Sequence, residues 1–215
     1  MPTKKRRIDG LYAITPDTAD SERLVARVEA ALAGGASVVQ YRNKSDDSVL
    51  RRRQAQTLLR LCRAHAAAFV VNDDVSLAGE IGADGVHLGR DDCGVRDARS
   101  QLGSQMLIGV SCYDRLPLAL AAQDEGADYV AFGSFFSSAV KPQAVRAPLQ
   151  LLRQARSRIE LPIVAIGGIT TDNAAQLIEA GADALAVISA LFDVDDTLRA
   201  AQSFVRLFAS RANPS

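Results

Sequence analysis

Gly181-Ala182-Asp183-Ala184 closes an Ala/Leu-rich stretch and opens an apolar run that ends at Ser189. The same turn stands at three earlier places: Gly34-Gly35-Ala36-Ser37, Gly82-Ala83-Asp84-Gly85 and Gly126-Ala127-Asp128-Tyr129. A glycine just past a helix end takes the left-handed conformation cheaply, and a small Ala lets the chain turn at once into a strand. Four such junctions, each leading from helical spacing into a short β-branched run, imply repeated βα units. Outward from them, strands are expected at 11–15, 37–42, 68–72, 85–88, 107–111, 129–133, 163–167 and 185–189, with helices between. Eight units in 215 residues leave about 27 each, near the lower limit of a (β/α)8 barrel. No Pro/Ser-rich linker divides the chain. The predicted fold is α/β, a single-domain (β/α)8 TIM barrel over 9–210, flanked by a flexible basic N-terminus (1–8) and a tail (211–215). The repeated turns mark the bottom of the barrel and read as stabilising, because chemistry in such barrels belongs to the opposite rim.

Composition narrows the functional classes. The 25 Lys and Arg are balanced by 25 Asp and Glu, so no overall basicity points to nucleic acid. The longest unbroken apolar run, 66–71, is far short of the roughly 18 residues that cross a bilayer. The basic start MPTKKRR has no apolar segment after it, unlike a secretory signal. Cys62, Cys93 and Cys112 are odd in number and form no C-x-x-C, which argues against disulfides and zinc. Reduced thiols in a cytoplasmic protein are expected, with Cys112 a small buried hydrophobe.

The functional candidates are the polar residues just after each strand, all converging on one mouth. They are Gln40-Tyr41-Arg42-Asn43-Lys44, Asn72-Asp73-Asp74, Gly89-Arg90-Asp91-Asp92, Ser111, the Ser137-Ser138 and Lys141 loop, Gly167-Gly168, and Ile188-Ser189. Strands three and four are neighbours, so carboxylates from their ends can meet at one hard cation. Two carboxylates, waters and phosphate oxygens are the usual Mg²⁺ arrangement. An Asp-Asp before a helix is also a common N-cap. The pairs divide accordingly: Asp74 caps the third helix, Asp73 faces the mouth, and Asp92 is the second metal ligand. Arg42, Lys44 and Lys141 bring cations to the same rim, where each alone reads as solvated and the three together suit a metal-bound diphosphate. Gly167-Gly168, by itself more often a mere turn, stands where barrels grip phosphate with backbone N–H groups, and Ser189 adds a hydroxyl. His65 reads as a surface residue and His87 as structural. No Ser-His-Asp or Cys-His set presents itself, so the chemistry should rest on electrostatics and positioning.

Gly10-Leu-Tyr-Ala-Ile-Thr15, Val39-Gln-Tyr-Arg-Asn-Lys44, Val71-Asn-Asp-Asp74, Asp84-Gly-Val-His-Leu-Gly-Arg-Asp-Asp92, Gly109-Val-Ser111 and Pro162-Ile-Val-Ala-Ile-Gly-Gly168 share their order and spacing with one family. Across nearly the whole chain the sequence resembles thiamine-phosphate synthases. The resemblance implies a transferase of thiamine biosynthesis with Mg²⁺ as cofactor. It would couple 4-amino-2-methyl-5-(diphosphooxymethyl)pyrimidine with 4-methyl-5-(2-phosphooxyethyl)thiazole and release diphosphate. By the same resemblance Gln40, Tyr41, Arg42, Asn43, Lys44, Asn72, Ser111 and Lys141 hold the pyrimidine diphosphate, and Asp73 and Asp92 bind the metal. Arg42, Lys44, Lys141 and Ser111 then carry the catalysis. Ser138, Ala139, Val140, Gly168, Ile188 and Ser189 hold the thiazole phosphate.

The loop after strand six departs from the family's Pro-Thr-x-Thr-Lys, because Val140 stands where a second hydroxyl is usual. That hydroxyl is worth about 0.5–1.5 kcal/mol if it makes a hydrogen bond. The segment 134–147 is the candidate lid. The expected partners are two small phosphorylated molecules, with no nucleic acid and no membrane, and a homo-oligomer stays open. Two rival readings are a thiazole tautomerase on the same barrel and a non-catalytic phosphate-ligand sensor. The first has no need of two metal carboxylates with Lys44 and Lys141, and the second draws support only from the altered loop.

Overall fold

A computed structural model of the chain describes residues 6–137 and 145–212, with side chains through residue 209. Eight parallel strands close on themselves in chain order, β1 pairing with both β2 and β8. They are β1 (Gly10–Ile14), β2 (Val38–Tyr41), β3 (Ala68–Asn72), β4 (Gly85–Leu88), β5 (Leu107–Tyr113), β6 (Tyr129–Gly133), β7 (Ile163–Ile166) and β8 (Ala184–Val187). Around them run α1 (Ser21–Ala33), α2 (Ser48–Ala64), α3 (Val75–Ile81), α4 (Val95–Leu102), α5 (Leu116–Asp124), α6 (Leu149–Arg156), α7 (Thr171–Glu179), the short α8 (Ser189–Phe192) and α9 (Thr197–Ala212). The expected (β/α)8 barrel is what forms.

Successive side chains of a strand point to opposite faces, and here both faces are covered. Tyr12, Val38, Val70, Leu107, Tyr129 and Val164 fill the barrel. Leu11, Val39, Phe69, Ile108 and Leu185 pack outward against the helices. Burial on both sides is why the strands read as continuous apolar runs rather than alternating ones. Side-chain caps start the helices: Asp20 accepts from Arg23 N and Asp47 from Leu50 N, while Thr170 and Asn173 form a capping box on α7. Each cap is worth about 0.5–2 kcal/mol.

The repeated turns explain themselves at the bottom of the barrel. Asp84 accepts a 2.8 Å hydrogen bond from Phe69 N, Asp128 one from Ile108 N and Asp183 one from Ile163 N, both also 2.8 Å. Each aspartate stands just before an even-numbered strand and ties down the start of the odd-numbered strand before it. Arg6, Arg99 and Arg156 pair with the three carboxylates at 3.8, 2.6 and 2.7 Å. Ser37, at the fourth turn, reverses the polarity and donates from Oγ to Leu11 O at 3.2 Å and to Asp9 O. The repeat is a structural device, as expected.

Several boundaries differ from expectation, those of β1 and β2 by a single residue. Ile8 is buried among the residues that fill the barrel, and Arg6 reaches Ala66 O and Asp84. The packed unit therefore begins before residue 9, because an apolar plug is needed where the barrel would otherwise open to water. β5 runs two residues past Ser111 through an irregularity in its pairing with β6. β7 and β8 stop at Ile166 and Val187, so Ser189 opens α8 instead of ending a strand. Among the described residues no helix is long and apolar enough to cross a membrane.

Candidate active site

The upper rim brings the two chosen carboxylates together. Asp74 caps α3, accepting from Leu77 N at 2.9 Å, and also pairs with Arg51. Asp73 takes a left-handed φ of 63°, a conformation that Asp tolerates better than most residues. Its backbone N–H donates to His87 O at 2.8 Å, and its carboxylate meets Lys44 Nζ at 2.5 Å. From the neighbouring strand end, Asp92 accepts from Gly89 N at 2.6 Å, near enough to Asp73 for the two carboxylates to act on each other. Burial pushes the Asp92 carboxyl up and the Gly89 N–H opposes it; Asp73 pushes it further up and Lys44 draws it down. The loop carrying Asp92 is seated by Tyr113, whose hydroxyl accepts from Arg90 N at 3.1 Å and whose ring lies 4.7 Å under the Arg90 guanidinium.

This pair suits a hard divalent cation. Two crowded carboxylates are all oxygen donors, and a cation between them relieves their repulsion. Among the described residues no group of three or more His, Cys, Asp or Glu side chains assembles. Mg²⁺ keeps several waters and is usually held by one or two carboxylates with substrate phosphates. Asp73 and Asp92 fit that requirement.

Arg42 and Lys44 hang above the same rim. Arg42 pairs with Asp17 at 2.6 Å, and Asp17 also accepts from Lys44 N at 2.9 Å. Asp17, just past β1, thereby orders the whole segment after β2. Tyr41 and Asn43 serve that segment too. Tyr41 is turned out of the barrel, stacks on Phe69 and donates to Gln54 Oε1 at 2.9 Å; Asn43 Nδ2 donates to the same oxygen at 2.9 Å. A cavity of about 170 Å³ lined by Asn43, Lys44, Asn72, Asp73 and Asp74 opens beside them.

Below the rim, polar side chains inside the barrel join hands. Gln40 Nε2 donates to Asn72 Oδ1 at 2.6 Å, and Tyr12 donates to Gln40 Oε1 at 2.8 Å. Tyr12 and Tyr129 hydroxyls are 2.9 Å apart. His87 Nδ1 is 3.1 Å from the Tyr129 hydroxyl, and its Nε2 is 2.9 Å from Ser111 Oγ. Burial, partly offset by Asp73, lowers the His87 pKa to about 4, so the ring is neutral near pH 7. His87 is buried inside the barrel and directly holds the candidate Ser111.

A second concavity, of about 180 Å³, is lined by Ser137, Gly167, Gly168, Ile188 and Ser189 among others. The loops after β6 and β7 touch here: Phe136 N donates to Gly167 O at 3.0 Å. Gly168 has φ 63°, and a Cβ added to it would come closer to Ser137 O than the 3.0 Å real Cβ atoms respect. Gly168, Ile188 and Ser189 thus meet at one place. Ser138, Ala139, Val140 and Lys141 lie outside the described residues, as does half of the candidate lid, whose ends are joined by a 2.8 Å bond from Ala147 N to Ser134 O. Cys62 and Cys112 are buried, which pushes each thiol up to about 12, and Cys93 is exposed.

Sequence reasoning did not single out Asp17, Tyr12 or Tyr129. Asp17 stands two residues past the expected end of β1 and could have been found by treating that strand end like the others. The two tyrosines carry no local signal, since their roles depend on barrel closure.

Residues 11–191 match the family model described as thiamine monophosphate synthase. The thiamine-phosphate synthase of Thiobacillus denitrificans is 59% identical over 201 residues, covering 94% of this chain and 95% of that protein. That of Chromobacterium violaceum is 57% identical over 205 residues, covering 95% and 99%. Among solved structures, the thiamine phosphate pyrophosphorylase from Pyrococcus furiosus superposes with a TM-score of 0.85 at 35% identity, covering 95% of this chain and 97% of that one.

Proposed function

The chain belongs to the thiamine monophosphate synthase family and is a transferase that forms thiamine phosphate, and on that premise we propose which of its residues do the work and that Mg²⁺ assists them. Asp73 and Asp92 hold the metal. Gln40, Asn72 and Ser111 receive the pyrimidine and the near phosphate, and Arg42, Lys44 and Lys141 receive the outer diphosphate oxygens. Tyr41 and Asn43 act from behind, through Gln54, to fix the segment that presents Arg42 and Lys44. Gly168, Ile188 and Ser189, with Ser138, Ala139 and Val140, receive the thiazole phosphate.

The reaction is a substitution at the methylene carbon. The carbon–oxygen bond breaks with its electron pair going to diphosphate, and the thiazole nitrogen lone pair forms the new carbon–nitrogen bond. Bound Mg²⁺ supplies charge neutralisation for the departing diphosphate. Arg42 and Lys44, held by Asp17 and Asp73 before substrate arrives, exchange those carboxylates for phosphate oxygens. Donors preorganised in this way lower a barrier by several kcal/mol at the point where charge develops. The thiazole phosphate grip sets the ring nitrogen against the methylene, a proximity contribution. No protein nucleophile or strong base is required. The absence of a membrane-spanning helix among the described residues and the three thiols agree with a cytoplasmic enzyme acting on small molecules.

The observation that carries this reading is the meeting of Asp73 and Asp92, from two adjacent strand ends, beside Lys44. It is tested with purified protein, both substrates and Mg²⁺. Asp73→Ala and Asp92→Ala should each abolish thiamine phosphate formation while leaving the circular-dichroism spectrum unchanged. Full turnover by both variants in the presence of a chelator would refute the metal assignment.

A further inference from the structure

Six side chains from β1 to β6 form one unbroken hydrogen-bonded chain through the barrel, in the order Ser111, His87, Tyr129, Tyr12, Gln40, Asn72. No buried side-chain nitrogen or oxygen among the described residues lacks a partner. A hydroxyl has one hydrogen to give and a neutral imidazole has one N–H. One end therefore dictates the other. With Tyr12 donating to Gln40 Oε1, Tyr129 must donate to Tyr12, His87 must donate from Nδ1, and Ser111 must donate to Nε2. Ser111 then shows only lone pairs to the mouth.

The same heavy-atom positions serve the opposite polarity equally well. If Ser111 gives its hydrogen to a ligand oxygen, Nε2 must carry the imidazole hydrogen and donate to Ser111. Nδ1 then accepts from Tyr129, Tyr129 from Tyr12, and Tyr12 from Gln40 Nε2, so the Gln40 amide turns over and its oxygen accepts from Asn72. We propose that this chain is a polarity switch: it runs from Ser111 to Asn72 in the empty site, and an anion accepting the Ser111 hydrogen reverses it.

This rests on the reading that Ser111 faces the diphosphate. The reversal carries no net charge. Over the reversal the imidazole gains one hydrogen at Nε2 and loses one at Nδ1 by exchange with solvent protons, the hydroxyl hydrogens of Ser111, Tyr129 and Tyr12 rotate, and both amides turn. Reversal also frees Asn72 Oδ1, which Gln40 otherwise occupies, to accept from an amino group on the ligand. An aminopyrimidine bearing diphosphate thus meets a different edge from one lacking it.

The tautomer of His87 is directly readable by ¹⁵N NMR, and exposed His65, the only other histidine, is an internal reference. At pH 7 the empty protein should show protonated Nδ1 and bare Nε2. Saturating diphosphate with Mg²⁺ should interchange the two, while calorimetry on the same samples records binding. Failure of diphosphate to bind overturns both the site reading and the switch; binding with an unchanged tautomer overturns the switch alone. The Gln40 side-chain amide signals should shift with diphosphate in the wild type and stay still in Tyr129→Phe. Tyr12→Phe breaks the chain at another link and should behave alike; a shift surviving in either folded variant refutes the coupling.

Discussion

Gly168→Ala separates the two anion sites. An alanine there must hold φ near 63°, which costs an L-residue roughly 1–2 kcal/mol. Its Cβ would also be driven into the Ser137 carbonyl and Phe136 backbone. The loop after β6 or the loop after β7 must then retreat by most of an ångström, and backbone N–H groups aimed at a phosphate lose alignment. A hydrogen bond to a charged group is worth about 1.5–3 kcal/mol. Loss of one raises KM for the thiazole phosphate roughly 10- to 150-fold, at 1.4 kcal/mol per tenfold. Asp73, Asp92, Arg42 and Lys44 lie on the other side of the mouth and do not touch the altered loop. Lys141, in the loop after β6, is the diphosphate contact that shares the disturbed segment, so the KM for the pyrimidine diphosphate should rise far less than that for the thiazole phosphate. Steady-state kinetics with each substrate varied in turn, on protein shown by thermal melting to be folded, measures both. An equal loss for both substrates, or none for either, would refute the assignment of the glycine loop to the thiazole phosphate.

Asp183→Ala should lower stability by about 1–3 kcal/mol, because the start of β7 loses the acceptor for Ile163 N, with at most about 1 more from the partly exposed Arg156 pair. At roughly 2–4 °C per kcal/mol the melting temperature falls visibly, and Asp183→Asn, which keeps an acceptor, should recover most of it. The folded His87 pKa lies below its ordinary value of 6.5, at about 4, so the unfolded chain binds the extra proton. The stability this confers is present above pH 6.5 and is lost as pH falls toward 4, to about 3 kcal/mol at 1.36 per unit; urea midpoints of the wild type should fall more steeply over that range than those of His87→Gln. Asp17→Ala leaves Arg42 without its partner and should raise KM for the pyrimidine diphosphate about tenfold, one lost interaction of roughly 1.4 kcal/mol, with the thiazole KM little changed.

The strands were legible because each is a short apolar run bounded by a turn. Expected and observed limits coincide at β3, β4 and β6. The division of Asp73 from Asp74 was legible as well, since a helix needs a cap at the residue before it and leaves the other free. Tyr41 shows where motif reading misleads. Gln40 through Lys44 look like one polar cluster, yet strand parity sends Tyr41 outward once Gln40 points in. Ser189 shows the weakness of strand limits, because nothing local distinguishes the last residue of β8 from the first of α8. The buried chain was out of reach for another reason. Tyr12 and Tyr129 are 117 residues apart, and their hydroxyls meet only after eight strands have closed in register.

The bottom-face ties have a consequence for how the barrel divides. Every one of them joins an odd strand to the even strand that follows: β1 with β2 through Ser37, then β3 with β4, β5 with β6, and β7 with β8 through the aspartates. Between these couples, at that end, the described strands have their ladders, with Arg6 adding a cross-tie from the segment before β1 to Ala66 O and Asp84. The molecule is thus stapled as four quarter-barrels, and breaks introduced between quarters should leave fragments that find each other again, whereas a break within a quarter separates a strand from its own clasp.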